Sequence, residues 1–365
     1  MTTIHNDTIP PTASHDENEL MKSSPISHAL HDLEHATGIV IPVYFNATSD
    51  PDPSIALLGS TVQMFVREIS EPQNLCLSVD GPGVAVAIAE AVATRYGVRM
   101  VVGERNRGKF GALLHGMQTL FDNTKLLWFA AVDQDGDHFA NDLLNFVRAA
   151  QHVVEATGDD RVMVLGNRAS RHRPLGFLRA EQEELCNHLL LDALTYAAAI
   201  SGNPLHLEYL TTHDSVPDFH SGYKFFSRPT AHAVFAQEPP LVGLSETAAY
   251  RHACEAVMTV EAHLSGAILA AINRRTYDEQ PISLFAGYNR ASLAADMILW
   301  PCKRLGVPAN FVAQWLTNHL PKLLLGTLVP QGPDELRAIY DLVLKDYGLD
   351  PEVAQHAFFT RPRFV

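Results

Sequence analysis

Cysteine is scarce in this chain of 365 residues: the four present, Cys76, Cys186, Cys254 and Cys302, lie far apart, and none forms a C-x-x-C pair. That spacing argues against a disulfide scaffold or a structural zinc site and suits free, buried thiols in a reducing cytoplasm, which is the expected location. Long apolar runs are missing as well. No stretch approaches the roughly 18 to 20 apolar residues of a membrane span, so no transmembrane segment is expected. Positive charge is also short, with 27 Lys and Arg against 41 Asp and Glu and a net charge of −14. Such a surface disfavours phosphate backbones, so nucleic acid is not an expected partner. The first 30 residues mix His, Asp, Pro, Ser and Thr without an apolar run. No secretory leader is expected there, and residues 1–36 read as a flexible tail.

Hydrophobic residues make up 47% of the chain, ample for one large α/β domain with an appendage, or for two domains. Short β-branched runs predict strands at 38–44, 75–79, 99–103, 126–132, 161–165 and 223–227. Helices are expected at 53–69, 84–96, 111–121, 140–156, 178–200 and 246–264, with a helical pattern from about residue 290 onward. This alternation predicts a doubly wound, mainly parallel sheet whose ligand sits beyond the carboxyl ends of the strands. The domain is expected over 37–290, followed by a helical region at 291–365. Within that region, 293–328 carries Trp300, Phe311 and Trp315. This stretch offers an amphipathic surface for a membrane, a partner or the chain's own domain, and docking on the domain is the plain reading.

Two strand ends carry acids. The stronger signal is Asp133-Gln134-Asp135-Gly136-Asp137. Alternate residues of an extended segment point the same way, so its three carboxylates can converge on one hard cation, magnesium or manganese. A solvated helix cap is the competing account. An EF-hand is excluded, because His138 and Leu144 stand where such a loop needs Gly and an acid. Asp80 closes the second strand before Gly81-Pro82-Gly83. Those glycines, with Glu104 ending the next strand, are the basis of an alternative, an NAD-dependent oxidoreductase. That alternative is weakened by Val86 at the third glycine position. In 106–112, Arg107 and Lys109 can meet a phosphate, and so can the basic cluster Arg168, Arg171 and Arg173 after the fifth strand.

The ordered set Ile41-Pro42-Val43-Tyr44, Val79-Asp80-Gly81, Asn106-x-Gly108-Lys109-x-Gly111 and Asp133-x-Asp135 resembles the family 2 glycosyltransferases with the GT-A fold. Gly166-Asn167-Arg168, the stretch from Asp218 to Arg228, Pro281–Phe285 and Arg290-Ala291-Ser292 narrow the likeness toward the dolichyl- and polyprenyl-phosphate sugar synthase branch. The resemblance implies a nucleoside diphosphate sugar as donor, an acceptor hydroxyl or phosphate, and an inverting outcome. It also implies that Pro42, Tyr44, Asp80, Lys109 and Asp133 surround the nucleotide, and that Asp133 and Asp135 hold a metal–diphosphate with Asp137 beside them. Arg168, Asp218 and Arg290 would meet phosphates or acceptor, and Glu255 would be the catalytic base. The chain departs from the pattern at Glu255-Ala256, where the family has Glu-Asp, and at Leu293, where it has Lys. A nucleotide-sugar-binding protein without turnover is a third reading.

Overall fold

The computed structural model describes residues 25–210, 216–277 and 289–351. Seven strands form one sheet: β1 (Thr37–Val43), β2 (Leu75–Val79), β3 (Arg99–Val102), β4 (Trp128–Ala131), β5 (Val162–Arg168), β6 (Lys224–Ser227) and β7 (Ile268–Arg274). Their order is β3-β2-β1-β4-β6-β5-β7. Strands β1 to β4 are mutually parallel and β5 runs parallel to β7, whereas β6 is antiparallel to both neighbours. The α/β class with a mainly parallel sheet is as the alternation predicts.

The sheet is buried on both faces, and the two-residue period of β1 sorts its side chains. Ile39, Ile41 and Val43 face a core built with Leu58 and Val62 from α2 (Pro51–Val66), Ile88 from α3 (Val84–Tyr96) and Val147 from α5 (Leu143–Thr157). Val40 faces the opposite core, with Leu113 and Met117 from α4 (Lys109–Phe121) and Phe235 from α7 (Arg228–Phe235). Each fully buried aliphatic side chain contributes about 1.5–3 kcal/mol of transfer free energy. The local signals agree with this layering. Asp50 caps α2 by accepting from the Asp52 amide, and α3 ends at Gly97 in the left-handed region.

Three elements depart from expectation. Residues 25–36, assigned to the tail, are helix α1, which buries Ala29, Leu33 and Ala36 along one face. Strand β7 was not foreseen, because Ile-Leu-Ala-Ala-Ile-Asn-Arg carries no polar alternation. The helix expected over 246–264 is two pieces, a π-turn at Ala248–His252 and α8 at Cys254–Leu264. Such interruptions of the i→i−4 ladder redirect the following residues.

The long helix α6 (Phe177–Ser201) joins the sheet domain to the C-terminal helices α9 (Arg290–Arg304), α10 (Ala309–His319) and α11 (Gly332–Asp346). Leu185, Leu189 and Ala193 of α6 share a core with Ile298, Leu316 and Ile339. Trp300 is fully buried and donates from Nε1 to Pro240 O at 3.0 Å, so this stretch docks on its own domain. All four cysteines are free and buried. No helix among the described residues is long and apolar enough to cross a membrane. The motif segment Pro281–Phe285 lies outside the described residues.

Candidate active site

Because β1, β2 and β4 are parallel neighbours in register, Val43, Val79 and Ala131 reach the same edge of the sheet. The residues just beyond them open into one cleft. Pro42, Tyr44, Asp80, Lys109, Asp133 and Asp135 line it together with Glu255. Six of the seven come from three strand ends and the start of α4, as a ligand site in an open α/β sheet requires.

Lys109 sits at the hub. Its Nζ lies 2.5 Å from Asp133 Oδ1 and 2.8 Å from Glu255 Oε1. Burial pulls the ammonium down, but Asp133 and Glu255 outweigh that and hold it well above the ordinary lysine range. Burial pushes Glu255 up, yet Lys109 and Lys224 win and keep this carboxylate below its usual range, hence ionised. The break at Ala253 puts Glu255 in the first turn of α8, where the helix dipole also favours an anion. Gly222 makes room for the pair, since a Cβ there would stand 2.4 Å from Asp133 Oδ2 and 2.7 Å from Lys109 Nζ.

The acidic loop is clasped to β1 by Gln134. Its Oε1 accepts from the Tyr44 amide at 2.9 Å, and its Nε2 donates to Tyr44 O at 2.7 Å. Asp133 and Asp135 thus face the cleft, and burial, with Asp133 next, pushes the Asp135 carboxyl up to about 6. Asp137 does not join them. Its side chain is buried, accepts from the Tyr277 amide at 3.0 Å and lies 3.6 Å from Arg274 of β7. The expected convergence of three carboxylates is therefore reduced to two, because an arginine far along the chain draws the third inward. No group of three His, Cys, Asp or Glu side chains is arranged to hold a metal among the described residues.

Asp80 lines the cleft while fixing the loop before α4, accepting from the Arg107 amide at 2.7 Å and the Gly108 amide at 2.8 Å. Arg107 itself turns toward Glu246 and Glu238, at 2.6 Å each, with its guanidinium over the Tyr250 ring. Gly81 packs its own backbone against the chain: a Cβ there would meet Asn106 N at 2.4 Å. Neither Gly81 nor Gly83 lines this cleft.

Three residues expected at phosphates or acceptor are placed elsewhere. Arg168 is buried and makes a two-point pair with Asp218, Nε to Oδ2 at 2.6 Å and Nη2 to Oδ1 at 2.7 Å, while Nη2 also reaches Glu183 Oε2 at 2.6 Å. Nε and Nη2 are engaged by these carboxylates, and neither Arg168 nor Asp218 lines the cleft. Arg290 opens α9 and pairs with Glu335 at a separate surface depression.

The far wall of the cleft comes from residues that the motifs do not single out: Arg179 and Glu183 of α6, His220 before β6, Arg251 and His252 of the π-turn, and Met297 of α9. Only His220 carried a sequence signal, as part of the segment running from Asp218 to Arg228. The others depend on how α6, the π-turn and α9 close over the sheet.

The chain matches no protein-family model and no curated protein. Among solved structures it is similar to glucosyl-3-phosphoglycerate synthase from Mycobacterium tuberculosis in complex with phosphoglyceric acid, at 16% identity over 78% of this chain and 86% of that one, with a TM-score of 0.48. A mycobacterial protein gives the same identity and TM-score, 16% and 0.48, over 78% and 80% of the two chains. S. aureus TarS 1–349 gives 11% identity over 90% and 94%, with a TM-score of 0.39.

Proposed function

We propose that the protein is a GT-A-type glycosyltransferase that moves a sugar from a nucleoside diphosphate sugar to an acceptor hydroxyl or phosphate, with inversion. One observation carries the reading. The residues of the family 2 motif set, Pro42, Tyr44, Asp80, Asp133 and Asp135 at strand ends and Lys109 at the start of α4, line a single cleft at the carboxyl edge of the sheet. In this reading Pro42, Tyr44 and Asp80 take the nucleoside, and Lys109 and the Asp133–Asp135 pair take the diphosphate.

The donor set fits a hard divalent cation. Asp133 and Asp135 both face the cleft, and after burial the Asp133 carboxylate is the next cause that raises Asp135, a repulsion that a cation between the two would relieve. Magnesium is commonly held by one or two carboxylates, with phosphate oxygens and water completing its shell. A bound magnesium or manganese ion would supply charge neutralisation for the diphosphate leaving group. The protein's own part is to hold Asp133 and Asp135 through the Gln134 clasp, and to keep Glu255 ionised beside Lys109 as the base for an acceptor hydroxyl.

Removing one of only two carboxylates should cost at least the upper end of the roughly 10- to 100-fold typical of a disturbed outer-shell partner. Titration calorimetry of the matching nucleoside diphosphate at saturating manganese should therefore show Asp135→Ala weakened on the order of 100-fold, with the manganese dependence gone. An Asp135→Ala protein that keeps its manganese-dependent affinity would remove the metal from the proposal.

A further inference from the structure

His220 stands on the far wall of the cleft, and its hydrogen-bonding state follows from the backbone. The His220 main-chain N–H donates to Asn187 Oδ1 at 3.2 Å. A main-chain amide is always a donor, so the atom it meets is the Asn187 oxygen and not the amide nitrogen. His220 Nδ1 lies 2.8 Å from that same oxygen, so Nδ1 carries a proton. In the neutral ring, Nε2 is then an acceptor with an open lone pair. Burial holds the imidazole down at about 4, so the ring is neutral at physiological pH.

That lone pair has no use within the protein. Nε2 is buried and without a hydrogen-bond partner among the described residues, on a side chain only 6% exposed. Buried polar atoms of folded proteins are nearly always paired, so an orphan in a cleft wall calls for a partner from outside the protein, a water or a ligand atom. The segment is rigidly held. Lys224, fully buried at the start of β6, donates from Nζ to Phe219 O at 2.8 Å and to Ser221 O, on either side of His220. The carbonyls flanking His220 are thus fixed by one buried ammonium, and its ring is fixed by α6.

Position decides what the ring meets. The motif residues of the proposed nucleotide site belong to the β1, β2 and β4 ends, whereas His220 precedes β6 and shares the wall with Arg179 and Glu183 of α6. We propose that His220 Nε2 recognises a hydroxyl of the carbohydrate reactants, accepting a hydrogen bond from the transferred sugar or from the acceptor alcohol. This rests on the glycosyltransferase reading and adds to it the residue that reads the non-nucleotide part of the substrates.

Two substitutions separate the ring's two nitrogens. His220→Asn keeps a donor near Nδ1 for Asn187 and deletes Nε2, while His220→Gln places a carbonyl near Nε2. Nucleoside diphosphate should bind both variants as it binds the wild type. If the hydroxyl belongs to the sugar, His220→Asn should bind the intact nucleotide sugar about tenfold more weakly, the cost of one unmet hydrogen bond. If it belongs to the acceptor, the acceptor KM should rise about tenfold instead, and His220→Gln should recover part of either loss. Unchanged nucleotide-sugar affinity and acceptor KM in a folded His220→Asn protein would overturn the inference and leave the glycosyltransferase reading intact. A wild type that binds no nucleotide sugar would overturn both. Nitrogen-15 spectra of histidine-labelled wild type give a check that needs no variant to fold. His220 should carry its proton on Nδ1, and a proton on Nε2 would overturn the inference.

Discussion

Arg168→Met should destabilise the protein by about 3–5 kcal/mol, read as a lower urea midpoint at an unchanged slope. The reason is what the substitution leaves behind. Asp218 and Glu183 are at most 5% exposed, and each sends a carboxylate oxygen to Arg168 at 2.6 Å. Burial pushes the Asp218 carboxyl up, but the Arg168 guanidinium outweighs it and holds the group well below the usual range. A depressed carboxyl contributes stability that is present above its unfolded pKa, about 3.9, and lost as pH falls toward the folded value. Without Arg168 the term weakens or reverses, so the variant should lose less stability than the wild type on acidification below about pH 4. Adding Asp218→Asn and Glu183→Gln should restore part of the loss, because the stranded charges go. A stable Arg168→Met protein that fails to bind nucleotide sugar would contradict this and return Arg168 to phosphate recognition.

Glu255→Gln should bind nucleoside diphosphate within a few-fold of the wild type and turn over about 100- to 10,000-fold more slowly, the usual worth of a general base. The side chain is isosteric, and glutamine can still accept from Lys109, so the loss falls on proton transfer. The ion pair with Lys109 keeps Glu255 charged but lowers its basicity. In the proposed reaction Lys109 turns toward the incoming diphosphate, which would return basicity to Glu255 when donor is bound. Full turnover in the glutamine variant would remove Glu255 as base and favour a phosphate acceptor, which needs none. Loss of nucleotide binding would instead make Glu255 a positioning residue for Lys109.

The parts of the site readable in the sequence are those fixed by local pattern. A β-branched run ending in an acid places Asp80 and Asp133 at strand ends, and parallel neighbours bring those ends together. What was not readable depends on partners distant in the chain. Asp137 is drawn from the cleft by Arg274, 137 residues later, on a strand whose alanine-rich run gave no signal. Arg168 after a strand looks like a phosphate ligand until Asp218, 50 residues on, closes over it. Glu181, Gln182 and Glu183 form a polar run on α6 that reads as solvated, yet all three are buried. The tautomer of His220 is set by Asn187, which only the packing of α6 brings near. Helix α1 was legible in principle, because Ala29, Leu33 and Ala36 follow the helical period within a polar stretch.

The most direct test of the central claim is the thermal shift of the protein with UDP, GDP, CDP, dTDP and NAD, each with and without manganese. A ligand at about 100 times its dissociation constant adds roughly 2.7 kcal/mol, enough to move the unfolding midpoint by a few degrees. Stabilisation by one nucleoside diphosphate, and only when manganese is present, is the predicted result and names the donor base. Stabilisation by NAD alone, indifferent to manganese, would contradict it.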